Sequence, residues 1–139
     1  MDAFELDARL VADSHEVGHL PLCCVLLADD ARYPWVILVP RRIGVREIHE
    51  LAPVDRRQLL AESCRVAECL QRLFAPDKLN LGALGNLVPQ LHLHHIARFR
   101  TDPAWPGPVW GHSRAEPYAP GAAAQRIAAL RTALGMGDH

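Results

Sequence analysis

The sequence predicts a single α+β domain over residues 1–139, with an antiparallel sheet, one long helix packed on it and a second helix near the C-terminus. Three observations predict this class: two apolar runs joined by a short turn, a long amphipathic stretch, and a later run in which histidines and leucines alternate. A length of 139 residues is enough to build one core. No repeat, low-complexity segment or linker divides the chain.

The first part of the chain contains a predicted β-hairpin. Residues 3–11 could form a short helix, and residues 13–18 have the composition of a polar turn. Leu, Val and Cys fill residues 22–28, and residues 33–39 are a second apolar run that ends at Pro40. Because the two runs lie so close in sequence, we expect them to pair as antiparallel strands.

The long helix is predicted over residues 53–74. Pro53 suits the first turn of a helix, and Asp55 there complements the helix dipole. A stripe at a spacing of three and four residues would face the sheet. Its predicted members are Leu59, Leu60, Ser63, Val66, Leu70 and Leu73.

Two further strands and a last helix complete the predicted elements. The strands are expected at residues 78–83 and 91–99, and the helix at residues 122–134. In residues 91–99 the leucines should face the core, opposite a row of polar side chains. His95 breaks this alternation, and we expect it at the edge of the sheet or under a loop.

Composition narrows the class of partner and the compartment. The chain carries 15 basic and 16 acidic residues, so its balance does not favour a nucleic-acid polymer as partner. The acidic N-terminus lacks a signal-peptide pattern, and the apolar run at residues 20–28 is too short to cross a bilayer. None of the four cysteines forms a CxxC pair, which indicates buried, reduced thiols. We therefore expect a cytoplasmic protein without membrane contact.

The most chemically distinctive side chains lie in residues 90–94. Gln90, His92 and His94 occupy alternate positions, so an extended chain turns them to one face, about 6 to 7 Å apart along the backbone. Neutral imidazole is a good nucleophile near pH 7, and it is a good general acid once protonated.

The loop before these residues is rich in glycine and asparagine. Gly82 and Gly85 permit backbone conformations that expose N–H groups to an anion, and Asn80 and Asn86 add amide donors. The alternative is that the glycines close a turn and the asparagines bond to nearby backbone. Donors and imidazoles around one point suit a phosphate ester or phosphoramidate.

Four segments resemble one family in the same order along the chain. QLHLHHIARF, after GNLVP, resembles the histidine triad (HIT) motif, His-φ-His-φ-His-φ-φ, where φ is apolar. DDARYPWVILVPRR, REIHEL and DPAWPGPVWG are similar to the hairpin, the segment ahead of the long helix and the tail in the branch that includes dinucleoside polyphosphate hydrolases. The resemblance implies a HIT-like sheet of about five antiparallel strands, a homodimer, and a nucleotidyl hydrolase or transferase with a covalent nucleotidyl-histidine intermediate.

The resemblance also assigns roles to residues. His92 takes the position of the nucleophilic middle histidine, and His94 that of the last, which orients His92 and handles the leaving-group proton. Gln90 stands at the first position, where the motif has His, and cannot titrate. The positions that match nucleotide- or phosphate-binding residues are Asn80, Gly85, Asn86, Asp30 and His49.

The expected substrate is a nucleotide phosphoanhydride, such as a dinucleoside polyphosphate, or a phosphoramidate. No redox cofactor or resident metal is implied, although Mg²⁺ could accompany a polyphosphate substrate. Two alternatives remain at this point. One is a nucleotide-binding protein without turnover, in which Gln90 marks the loss of catalysis; the other is a metal-dependent hydrolase that uses His92 and His94 with a further histidine.

Residues beside the motif have more ordinary expected roles. Arg98 is expected to be a charge at the surface or at the rim of the site. Trp105 and Trp110 should pack the irregular tail against the body of the domain. Asp30 fits a hairpin turn as well as a nucleoside pocket.

Overall fold

A computed structural model describes residues 3–137 as a five-stranded antiparallel sheet with helices, so the predicted α+β class is confirmed. The strand order is β1-β2-β3-β5-β4. No helix in the described part of the chain is long and apolar enough to cross a membrane. In chain order the elements are α1 (Ala8–Ala12), β1 (Ser14–His19), β2 (Cys23–Ala28), β3 (Trp35–Pro40), α2 (Pro53–Phe74), β4 (Lys78–Gly82), β5 (Leu93–Arg98) and α3 (Ala122–Ala133).

The edge strand β1 was not predicted from the sequence, which indicated a polar turn at residues 13–18. Ser14–His19 instead pairs antiparallel with β2, with an irregular register between Glu16 and Gly18. Val17 is the only residue of the strand that is fully buried. An edge strand with one buried side chain and a bulge does not show the alternation by which strands are recognised.

The long helix α2 has the predicted bounds but a slightly different buried face. Pro53 begins the helix, and Ala75 ends it in a left-handed conformation at φ 46°. Leu60 and Leu73 are 65% and 38% exposed, so their assignment to the buried stripe was wrong. The buried residues of α2 are Leu59, Glu62, Ser63, Val66, Cys69 and Leu70.

Glu62 is a charged residue in the middle of this buried face. Its carboxylate accepts hydrogen bonds from the backbone N–H groups of Leu22 at 2.8 Å and Cys23 at 2.9 Å. Burial of a carboxylate is tolerated when its oxygens are hydrogen-bonded in this way. Glu62 therefore ties the long helix to the turn between β1 and β2.

The two faces of the sheet are covered differently. One face carries α2 and α3 over the main core, in which Leu130 and Leu134 are buried. The other face packs a smaller apolar cluster against α1 and the residues before it. This second face carries the candidate site.

His95 lies in the interior of the sheet, because β5 runs between β3 and β4; the expectation of an edge or loop position was wrong. It faces α2, where its Nε2 lies 2.7 Å from the Ser63 hydroxyl. Burial lowers its pKa from 6.5 to about 4, against the opposing hydrogen bonds to Val36 and Leu93. The imidazole is therefore a neutral core residue, satisfied by a partner that sequence spacing does not reveal.

The thiols follow the sequence-based expectation in part. All four cysteines are free. Cys23, Cys24 and Cys69 are buried, as expected, but Cys64 is exposed on α2. Burial is the main cause that raises the pKa of Cys24.

Candidate functional site

His92 and His94 lie together on the face of the sheet opposite α2. His92 precedes β5 directly and His94 is its second residue, so the two side chains project to the same side. Their ring centroids are 4.9 Å apart at an interplanar angle of 72°, and each residue is 7% exposed. The imidazole pair predicted from the sequence is therefore formed.

The tautomer of His92 is fixed by the backbone of residue 90. Nδ1 of His92 lies 2.8 Å from the carbonyl oxygen of Gln90. Because a carbonyl can only accept, Nδ1 carries the hydrogen of the neutral ring, whose Nε2 then has the lone pair. Within the described residues Nε2 has no hydrogen-bond partner, so it is available as a nucleophile.

His94 has the opposite tautomer. The indole N–H of Trp35 donates to Nδ1 of His94 at 2.9 Å, which leaves the hydrogen of a neutral ring on Nε2. Burial, assisted by the neighbouring His92 and His95, lowers the pKa of His94 from 6.5 to about 3. Trp110 packs against the ring at a centroid distance of 5.7 Å. His94 is thus a neutral hydrogen-bond donor near pH 7.

A cavity of about 410 Å³ adjoins the two histidines. One part of its lining is apolar and the other is acidic, with His92, His94 and Trp35 also exposed to it. This combination suits a ligand with a flat apolar ring and a polar sugar. The apolar lining includes Leu10, Ala28, Ile37 and Val88, and the acidic lining is Asp13, Asp29 and Asp30.

The two adjacent aspartates in this lining are not equivalent. Both oxygens of Asp30 are bound by Arg32, at 3.0 and 2.9 Å, and its side chain is 4% exposed. Asp29 uses one oxygen to accept from His15 at 2.9 Å and from the N–H of Tyr118 at 3.1 Å. The hydrogen bond from His15 is the main cause that holds the pKa of Asp29 below its usual range. Its other oxygen has no partner among the described residues, so Asp29, which sequence analysis missed, is the better placed acceptor.

Gln90 turns its side chain away from the cavity lining. Its Oε1 accepts from the N–H of Asp7 at 2.9 Å, and its Nε2 donates to the carbonyl of Glu5 at 2.9 Å. The residue therefore meets His92 through its backbone and the N-terminal segment through its side chain.

The remaining predicted phosphate-binding residues lie outside this cavity. Asn80, on β4, accepts a hydrogen bond from Arg98 at 2.7 Å. Gly85 and His49 line a separate surface depression, and Asn86 is exposed in the loop between β4 and β5. The structure brings together His92, His94 and Asp30 from the predicted set, and the phosphate-binding roles of the others stay predictions.

Arg98 is a buried residue, so its expected place at the surface or rim was wrong. It is 2% exposed, and Asp102 binds its guanidinium through both carboxylate oxygens, at 2.8 and 3.0 Å. Asn80 is a second partner, so each of the three guanidinium nitrogens donates a hydrogen bond. The pair fixes the start of the irregular tail, from which Trp110 reaches His94 as expected for a packing residue.

Within residues 3–137 no group of three or more His, Cys, Asp or Glu side chains is arranged to hold a metal ion. His92 and His94 lie close together, but neither a further histidine nor a carboxylate completes a ligand set with them there. These residues therefore offer no geometry for the metal-dependent alternative.

Comparison with known proteins gives a consistent result. The family model described as "HIT domain" matches residues 9–101. The structure is similar to that of a histidine triad protein from Marinobacter aquaeolei VT8, with a TM-score of 0.93 and 51% identity over 96% of this chain and 98% of that one. A histidine triad protein from Bradyrhizobium japonicum has a TM-score of 0.93 and 46% identity, over 96% of this chain and 99% of that one. A histidine triad protein from Sinorhizobium meliloti 1021 has a TM-score of 0.90 and 45% identity, over 93% of this chain and 96% of that one. No curated protein matches the sequence.

Proposed function

Since this chain belongs to the HIT domain family of nucleotide-binding proteins and hydrolases, we propose that it hydrolyses or transfers nucleotidyl groups through a covalent bond to His92. The substrate class is a nucleotide phosphoanhydride, including dinucleoside polyphosphates, or a phosphoramidate. The observation that supports this most directly is the 2.8 Å contact between Nδ1 of His92 and the carbonyl of Gln90. It leaves the lone pair of Nε2 free at the cavity.

In the first step the Nε2 lone pair attacks the α-phosphorus of the substrate. A phosphorus–nitrogen bond forms as the bond to the leaving oxygen or nitrogen breaks, and the electron pair goes to the leaving group. The positive charge that develops on the His92 ring is stabilised by the Gln90 carbonyl at Nδ1. Water or another hydroxyl acceptor then attacks phosphorus and loses its proton to solvent. The phosphorus–nitrogen bond breaks, and its electron pair returns to Nε2, so that the nucleotidyl group is released and His92 is neutral again.

His94 contributes a hydrogen bond in this scheme. Its Nε2–H is directed by the Trp35 contact at Nδ1, and the ring stays neutral because burial depresses its pKa to about 3. Such a donor stabilises negative charge on a phosphoryl or leaving oxygen without being consumed. A phosphate leaving group departs as an anion, whereas an amine would take its proton from water.

The replacement of the first motif histidine by Gln90 is compatible with catalysis. The partner that orients His92 is a backbone carbonyl, which every residue type supplies. The Gln90 side chain is engaged with Glu5 and Asp7, away from the lining of the cavity. This placement favours an active enzyme over the alternative of binding without turnover.

The nucleoside would occupy the cavity beside the histidines. Leu10, Ile37 and Val88 offer apolar contacts to a base. The unpartnered oxygen of Asp29 is suited to accept hydrogen bonds from ribose hydroxyls, since hydrogen bonding to His15 keeps this carboxylate ionised. We assign this role to Asp29 ahead of Asp30, whose oxygens are both bound by Arg32.

A homodimer belongs to the same proposal. Strand β4 is a free edge of the sheet in the isolated chain, and its Leu81 is 49% exposed. Leu60, 65% exposed on α2, adds apolar surface on the same side of the sheet. An exposed edge strand beside apolar side chains favours association. Light scattering should give twice the chain mass, and Leu81→Glu with Leu60→Glu should give the monomer mass; a monomeric wild-type protein would refute this part.

Intact-mass measurement after exposure to nucleotides tests the chemistry. The panel contains dinucleoside polyphosphates and nucleoside phosphoramidates, and quenching in acid-free denaturant preserves the labile phosphorus–nitrogen bond. We expect the mass of the wild type to increase by one nucleotidyl group, which is a nucleoside monophosphate less one water, and the mass of His92→Gln to stay unchanged. Adduct formation that survives His92→Gln would refute the assignment of the nucleophile, and binding without product in the wild type would favour a non-catalytic protein.

A further inference from the structure

The Gln90 amide binds two main-chain groups of the N-terminal segment. Oε1 accepts from the N–H of Asp7, and Nε2 donates to the carbonyl of Glu5, both at 2.9 Å. A residue of an adjacent parallel strand uses its own carbonyl and N–H in the same way, on the N–H and carbonyl groups that flank one partner residue. The side chain thus takes the place of one residue of a neighbouring strand.

The segment held in this way forms one side of the nucleotide cavity. We call residues 5–14 the N-terminal wall; Arg9, Leu10, Ala12, Asp13 and Ser14 from it line the cavity beside His92 and His94. Leu10 is 6% exposed and packs into the apolar cluster on this face of the sheet. Any movement of the wall would therefore change the shape of the cavity.

The wall has little stability of its own. Helix α1 within it has five residues, capped at its start by the Asp7 carboxylate, which accepts from the N–H of Arg9 at 2.8 Å. A helix this short does not persist without tertiary contacts. Apart from the packing of Leu6 and Leu10 in the apolar cluster, the hydrogen bonds of the wall to the loop before β5, within the described residues, are the Gln90 pair and a longer one of 3.3 Å from Arg9 to the Leu87 carbonyl.

We propose that Gln90 is a positioning residue that docks the N-terminal wall and so sets nucleotide affinity. The inference rests on the proposed function for its ligand, and it concerns binding, whereas the backbone carbonyl of the same residue serves the bond-making step at His92. One residue therefore contributes its side chain to the wall of the cavity and its backbone carbonyl to the orientation of the nucleophile.

Histidine, which the family motif has at this position, cannot replace the amide. A neutral imidazole has one donor and one acceptor nitrogen that point away from each other across the ring, whereas an amide carries its oxygen and its N–H₂ side by side. A His at position 90 could satisfy the Asp7 N–H or the Glu5 carbonyl, but not both. Gln90→His would restore the motif and still weaken binding.

The test compares Gln90→Met, which keeps an unbranched side chain of similar size, with Gln90→His and the wild type. If each lost hydrogen bond contributes its usual share, KM for the best substrate of the panel should rise about tenfold in Gln90→Met, with kcat within about threefold. Amide exchange of residues 5–14 in the ligand-free protein should become about tenfold faster. For Gln90→His, both KM and the exchange rate should lie between the values of the wild type and of Gln90→Met.

A second pair of variants removes the partner of Gln90. Asp7 has φ −55°, which proline adopts without strain, so Asp7→Pro deletes the N–H while Asp7→Ala keeps it, and both lose the helix cap. Asp7→Pro should raise KM about fivefold relative to Asp7→Ala in the wild-type background, and not at all in Gln90→Met.

The inference would be overturned if Gln90→Met had the same KM and the same exchange rate as the wild type. It would also be overturned if Gln90→His had the same KM as the wild type. The exchange measurement needs no turnover. Failure of the proposed function would show as the absence of a nucleotidyl adduct in the wild type, and accelerated exchange in Gln90→Met would still establish the docking. If the wild type forms the adduct but exchange in Gln90→Met is unchanged, the proposed function is supported and the proposed role of Gln90 is refuted.

Discussion

Asp102→Asn should cause a large loss of stability, because it leaves a buried guanidinium without a counter-charge. The Arg98 and Asp102 side chains are 2% and 3% exposed. Asp102 accepts from the Arg98 guanidinium at 2.8 and 3.0 Å and from the N–H groups of Phe99 and Trp105 at 2.9 and 2.8 Å. Removal of one partner of such a pair costs about 3–5 kcal/mol. A chain of this size would then lose about 10 to 20 °C of Tm.

Asp55→Asn is the matched control. It breaks a two-contact pair of the same chemistry, at 2.7 and 3.0 Å, but its partner Arg42 is 46% exposed. An ion pair open to water contributes about 0.2–1 kcal/mol. Urea unfolding followed by tryptophan fluorescence, at one protein concentration and pH 7, should therefore separate the two variants by at least about 2 kcal/mol. Equal losses would refute the idea that burial decides the value of the pair.

The pH dependence of this difference has a defined sign. Burial acts against ionisation of Asp102, but the hydrogen bonds from Arg98, Phe99 and Trp105 prevail and hold its pKa below its usual range. The stabilisation is fully present above the unfolded pKa of about 3.9 and is lost as pH falls through the lower folded value. Wild type and Asp102→Asn should therefore converge only below about pH 4.

Three further predictions concern the histidines on the two faces of the sheet. Trp35→Phe keeps an aromatic ring but removes the donor to His94 Nδ1, so kcat should fall about tenfold; a value within about twofold of wild type would contradict the role. Because burial depresses the pKa of His94 to about 3 and of His95 to about 4, stability is full above the unfolded pKa of about 6.5 and falls as pH drops towards those values. Unfolding in urea should show a loss of about 2 kcal/mol per ring between pH 6.5 and 5, and a flat profile would refute it. Ser63→Ala should cost about 1–3 kcal/mol alone and much less in His95→Leu, as a double-mutant cycle would show; additive losses would argue against the pair.

The sequence alone was sufficient to predict those elements that depend on local signals in their own residues. The bounds of α2 follow from Pro53 at its start and from the apolar stripe along it, both of which are local signals. The pairing of β2 with β3 follows from two apolar runs separated by a short turn. The histidine pair follows from the alternation of side chains at the start of β5, which puts His92, directly before the strand, and His94 on one side.

The features that were missed or misplaced depend on partners distant in sequence or in another layer. Arg98 is buried because Asp102 and Asn80 satisfy its charge, and nothing in the spacing of a single arginine reveals this. His95 is buried because Ser63 of α2 lies opposite its Nε2. Strand β1 is recognisable only by its pairing with β2. In each case a tertiary partner changes the preference that the residue type has by itself.

His94 and His95 show how one strand can serve both the proposed site and the core. They are adjacent in β5, so the two-residue period of a strand sends one ring to the cavity and the other to α2. Trp35 fixes the hydrogen of His94, while Ser63 satisfies His95. A shift of one residue in the pairing of β5 with β3 would exchange these environments, so that His95 would face the cavity and His94 would face α2. The buried His95–Ser63 contact therefore disfavours the shifted register that would remove His94 from the site.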